Sequence, residues 1–179
     1  FINDISKFFD ICTQYRTMIS HPAMSELNET ASILMQNKNT TLRYVTWVEL
    51  QAVCFARNIL NGLIDTFNEN KSGWGFPELW SKMLDNLHAF AIIDEVVGVH
   101  TRPMSQNYNT NEYYKEYTDL LEKYQLERTP NEVIGKVYKS KLSVCIMFKE
   151  DHSKYLTECV ESLPINSEIV LVKTIPHKD

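Results

Sequence analysis

"FPELWSKMLDNLHAFAIIDEVVGV", residues 76–99, holds the longest apolar run of the chain, and the reading of everything before residue 140 turns on it. Leu79, Trp80, Met83, Leu84, Leu87 and Phe90 recur at spacings of three and four, and Pro77 suits a first helical turn. The spacing predicts one helix across the stretch.

Upstream, Thr46 and Glu49 have the spacing of a capping box, and Val48, Ala52, Phe55, Ile59, Leu63 and Phe67 continue from them as an apolar stripe. That predicts a second long helix, packed on the first, with Gly62 allowing close approach. Ile5, Phe8, Phe9, Cys12 and Tyr15 mark another helix, closed by His21-Pro22, and "SELNETASILMQ" (25–36) a weaker one. Tyr113, Tyr117, Leu120, Leu121 and Tyr124 share a face in 112–128, and "TPNEVIGKVY" (129–138) opens like a short helix. The expectation is a mostly α protein, with a helical bundle as an N-terminal domain over 1–140.

The character changes near Ser140. In "KLSVCIMFKEDHSKYLTECVESLPINSEIVLVKT", 141–174, two apolar, β-rich runs flank an amphipathic segment. This order predicts a C-terminal βαβ unit over 141–179, two parallel strands joined by a helical crossover.

Composition excludes some functions. The chain has 179 residues, 44% hydrophobic and 23% charged, as a globular protein does. Its net charge of -5 gives no general footprint for nucleic acid, so none is expected as a partner. Asp94 and Glu95 interrupt the apolar run well short of the roughly 20 residues that a bilayer-spanning helix needs. Cys12, Cys54, Cys145 and Cys159 lie far apart, with neither CxxC nor zinc spacing. They read as buried thiols of a reducing compartment, hence a cytoplasmic location.

No Walker loop, GxGxxG, HExxH or GxSxG pattern occurs. Asp85 and His88, three apart on the expected helix, have the spacing of an oriented base, but no nucleophile stands near them in sequence, so they read as helix surface. Asp94 or Glu95 could be a buried acid, although a helix would turn both toward solvent. Trp74, between Ser72-Gly73 and Gly75, is an aromatic in a loop and a candidate partner contact, as is Tyr108.

The C-terminal stretch resembles the opening of a family 2 glycosyltransferase, an inverting nucleotide-sugar enzyme of the GT-A fold. The resemblance rests on 143–151 "SVCIMFKED", 155–163 "YLTECVESL" and 167–174 "SEIVLVKT", which follow the order, spacing and residue types of that family's first strand, helix and second strand. It implies nucleotide-sugar binding by Phe148, Lys149, Glu150, Asp151 and Lys173 at the strand ends. Lys149 and Asp151 match the family's pattern, Glu150 replaces its usual Asn, and Lys173 stands where it has a nucleotide-contacting Asp. The family's DxD motif and catalytic base would lie past Asp179, so the expectation is a fragment or degenerate transferase, inert by itself. The chain itself would then hold no cofactor, and a divalent Mn or Mg would belong to a longer parent. The alternative expectation is a non-catalytic helical adaptor that binds a protein partner.

Overall fold

Phe90–Gly98 is a β-strand, and its position overturns the expected helical bundle. The computed structural model describes residues 2–25, 31–99, 110–139, 143–148, 155–162 and 168–173. They fall into two compact units, Phe1–Tyr138 and Lys139–Asp179.

In the first unit the elements follow the order α1 (Ile5–Gln14), β1 (Ile19–Met24), β2 (Thr40–Val45), β3 (Cys54–Phe55), α2 (Arg57–Leu63), α3 (Phe76–Leu84), β4 (Phe90–Gly98), α4 (Thr110–Tyr124) and β5 (Val133–Tyr138). Short 3-10 turns occupy Ser32–Leu34 and Ile64–Asn68. The strands form a mixed sheet in the order β3-β1-β4-β2-β5, in which β1 and β4 run parallel and the other neighbours antiparallel.

The first four residues of β4, Phe90 to Ile93, are all apolar because both faces of the strand are covered. Phe90 and Ile92 join one core with Trp80, Leu79 and Phe76 of α3 and Leu120 of α4. Ala91 and Ile93 face the opposite core with Phe8 and Ile11 of α1. A strand buried on two sides lacks the polar alternation that separates strand from helix, so its apolar residues also fit a helical stripe. The helix expected over 76–99 therefore stops at Leu84, where Asp85 takes a left-handed conformation (φ 43).

The other expected helices shorten for similar reasons. α1 begins at Asp4, whose side chain accepts from the Lys7 amide at 2.9 Å, and ends well before His21-Pro22. That dipeptide lies inside β1, and the register shifts between Pro22 and Ala23. A proline cannot donate to the ladder, and an irregularity there accommodates it. Of the helix expected from Thr46 to Phe67, only α2 and the 3-10 turn form, and the Thr46 hydroxyl bonds the Pro130 carbonyl instead of capping. Residues 129–138 give strand β5, paired along β2, rather than a helix. Within 25–36 the described residues hold the turn Ser32–Leu34 and an isolated bridge from Met35 to Met24, not a longer helix.

The second unit contains β6 (Ser143–Phe148), α5 (Leu156–Glu161) and β7 (Glu168–Lys173). β6 and β7 pair in parallel, from Ser143↔Glu168 through Phe148↔Lys173. Among the described residues, no helix of either unit is long and apolar enough to cross a membrane.

Candidate functional site

The C-terminal unit places two of the expected nucleotide-sugar residues together. Phe148 and Lys173 are register partners at the carboxyl ends of parallel strands, the end of an open α/β sheet where ligands gather. Lys149, Glu150 and Asp151 lie outside the described residues.

In the first unit, the loop before α3 shapes a second candidate region. Gly73 and Gly75 have φ of 77° and 90°, the left-handed region that other residues adopt at a cost. The Asn70 side chain spans the turn, accepting from the Gly73 amide at 2.7 Å and donating to the Trp74 carbonyl at 2.9 Å. Glu116 of α4 accepts from the Ser72 amide at 2.9 Å, and its bonds to Ser72 lower the Glu116 carboxyl below the usual range. Trp74 is 37% exposed, edge-on to Tyr113 at 6.2 Å between ring centroids. Tyr108 lies outside the described residues.

Beneath this loop is a pocket of about 290 Å³, walled by Leu50, Val53, Phe55, Phe67, Phe76 and Trp80 and rimmed by residues 70–73. The aromatic rings meet edge-on or tilted, with Phe55, Phe67 and Phe76 all 5.2–5.5 Å from Trp80. Trp80 is held by its indole N–H, which donates to Thr66 Oγ1 at 2.9 Å.

The acids and bases singled out in the sequence do not assemble a catalytic site. Asp85 ends α3 and His88 lies beyond it, with its ring against Tyr44 at 4.5 Å, so the two do not share a helical face. Asp94 is fully buried and saturated. Its carboxylate accepts from Arg43 Nε at 2.8 Å and Arg43 NH2 at 2.9 Å, from the Thr40 hydroxyl at 2.6 Å and from the Asn37 amide at 2.9 Å. Arg43 also donates to the carbonyls of Ile33 and Met35. Such a pair organises the strands around it rather than offering a proton. Glu95 takes the Thr41 hydroxyl at 2.7 Å and Lys7 at 2.7 Å, so the strand, unlike the expected helix, puts only one of the two acids near solvent.

Several polar groups escaped sequence reasoning. His21 is buried with Nε2 unpartnered, and burial lowers its imidazole to about 4. Glu78 is buried in the first turn of α3, where desolvation raises its carboxyl, and Tyr117 donates to it at 3.3 Å. Desolvation, aided by the Glu78 charge, pushes the Tyr117 hydroxyl up to about 12. The expectation of uniformly buried thiols also fails, since Cys12 and Cys54 are partly exposed and Cys159 is exposed. His21 and Cys54 sit on strands, where a helical reading assigns the wrong inward face, while the burial of Glu78 follows from the packing of α3 against Tyr117 of α4.

Among the described residues, no three His, Cys, Asp or Glu side chains come together as a metal site. The chain matches no family model, no curated protein and no solved structure.

Proposed function

We propose that the C-terminal unit is the opening strand–helix–strand of a nucleotide-sugar-binding domain of the family 2 glycosyltransferase kind. The observation that carries the reading is the six-residue parallel register ending in Phe148↔Lys173, with α5 between the strands in sequence. A donor nucleotide would lie beyond those carboxyl ends, against Phe148, Lys149, Glu150, Asp151 and Lys173. Lys173 offers only donors, so the hydrogen bond that a carboxylate would accept from a uracil N–H is absent. A lysine is instead a point charge suited to a diphosphate. No described carboxylate cluster fits a divalent metal, so no step is assigned to one.

Titration calorimetry of the 179-residue chain with UDP and UDP-glucose, with and without manganese, tests this reading. The expected result is saturable binding near 0.1–1 mM, about 4–5.5 kcal/mol, that Asp151→Ala abolishes. No saturable heat from this chain, nor from any longer chain of which it forms part, would overturn it.

A protein-binding surface is the second reading, favoured by the exposure of Trp74 on its hydrogen-bonded loop. Aromatic residues are enriched where proteins meet. It predicts that Trp74→Ala, alone or with Tyr108→Ala, weakens capture of a specific partner, and retention of every partner by the double variant would refute it.

A further inference from the structure

Cys12 lies in α1, whose inward face carries Phe8 and Ile11 onto the sheet, and Cys54 opens the edge strand β3. Alternation along β3 sends Phe55 to the aromatic core and Cys54 to the opposite face. Both cysteines pack against that second core, and each thiol shifts the ionisation of the other. Two residues hold this arrangement. Ser20 is the register partner of Cys54 and its hydroxyl donates to Thr17 Oγ1 at 2.6 Å. The Thr17 amide in turn donates to the Cys12 carbonyl at 3.1 Å, so both hydroxyls belong to the surroundings of the Cys12 thiol.

The electrostatics divide the two thiols. The hydrogen bond from Cys54, with smaller contributions from Ser20 and Thr17, lowers the Cys12 thiol to about 6 although burial opposes this. The bond to Cys12, together with burial, raises the Cys54 thiol. The two thiols are thereby made unequal, with Cys12 the readier of the pair to ionise.

We propose that Cys12 and Cys54 form a reversible dithiol–disulfide site that reacts with small disulfides of the glutathione type, Cys12 attacking and Cys54 resolving. The Cys12 thiolate attacks one sulfur of the small disulfide and forms a mixed disulfide, and the first small thiolate leaves. Capping Cys12 removes the charge that raised the Cys54 thiol. Cys54 then releases its proton to solvent and attacks the Cys12 sulfur, and the second small thiolate leaves. The small disulfide has accepted two electrons and two protons, leaving as two thiols. The new bond ties α1 to β3 next to Val53 and Phe55, which wall the aromatic pocket.

The test treats the full chain with oxidised glutathione at pH 6, quenches with acid, alkylates and maps the peptides by mass spectrometry. A Cys12–Cys54 cross-link, two hydrogens lighter than the dithiol, is expected, with Cys145 and Cys159 outside it. At pH 6 a thiol of pKa about 6 is about 150-fold richer in thiolate than an ordinary one near 8.5, and its lower nucleophilicity returns roughly 10–20-fold of that. Cys12 should therefore react about 10-fold faster than an unstructured cysteine peptide. Cys54→Ser should stop at the glutathione adduct on Cys12, and Cys12→Ser should lose the fast reaction. The proposal is overturned if the wild-type chain forms no Cys12–Cys54 bond, if Cys12 pairs instead with Cys145 or Cys159, or if Cys12 reacts no faster than the peptide. The first two readouts need no variant, so a misfolded substitution cannot mask the result.

Discussion

Replacing Asp94 by asparagine would keep its shape and remove the charge that Arg43 was folded around. Both side chains are at most 7% exposed, and the carboxylate accepts four hydrogen bonds, two of them from Arg43. Asp94→Asn leaves the guanidinium buried with only the Ile33 and Met35 carbonyls as full partners. Breaking a buried pair from one side costs about 3–5 kcal/mol, because the remaining charge is uncompensated. With a urea slope of about 2 kcal/mol per M, the unfolding midpoint should fall by roughly 1.5–2.5 M. The three tryptophans, Trp47, Trp74 and Trp80, all lie in the first unit, so their fluorescence follows that unit without interference from the second. Arg43→Met and Asp94→Leu should each cost about as much, and the double variant Asp94→Leu/Arg43→Met much less than the sum of those two, since an apolar pair of similar volume can replace a buried ion pair at little loss. A midpoint shift under about 0.5 M for Asp94→Asn, below about 1 kcal/mol, or strict additivity in the double variant, would refute the assignment of the pair as a structural strut.

Other substitutions separate backbone from packing effects. Gly62→Ala should stabilise by up to about 1 kcal/mol, because the residue is helical and a Cβ there meets nothing within 4 Å; a loss would restore the close packing expected from the sequence. Gly75→Ala should cost at least about 1 kcal/mol, since φ is 90° and its Cβ would stand 2.8 Å from Leu120, and urea melts compare the two directly. His21 titrates near 6.5 when unfolded but about 4 when folded, so as the pH falls the unfolded chain takes the proton first. Its contribution is complete above pH 6.5 and drains toward pH 4, with roughly 2 kcal/mol gone by pH 5, and His21→Gln should flatten that part of the stability profile. Glu78 has the opposite sign. Its raised carboxyl loses stability as the pH climbs above the ordinary carboxylate range, and melts of Glu78→Gln across pH 4–8 should lack that loss.

Some elements were legible in the sequence because their signal is local. The apolar stripe from Ile5 marks α1, Pro77 opens α3, and the tyrosine stripe of α4 repeats at helical spacing. The parallel pair β6 and β7 follows from two apolar β-rich runs separated by an amphipathic segment. In the candidate nucleotide region the order of Phe148 and Lys173 is a sequence property, and their pairing at one strand end is a property of the register.

The first unit shows what local signals leave undecided. Residues 90–98 carry apolar side chains at positions that satisfy a helical stripe and a strand buried on two faces equally well. Only the β1 and β2 ladders on either side, with α1 on one face and α3 on the other, choose between them. Once that strand forms, Asp94 is drawn inward to Arg43, 51 positions away, and β3 carries Cys54 to the thiol in α1. Sequence spacing reports which residues can share a face of one element. Which faces meet depends on long-range pairing, whose contacts join residues that no local pattern relates.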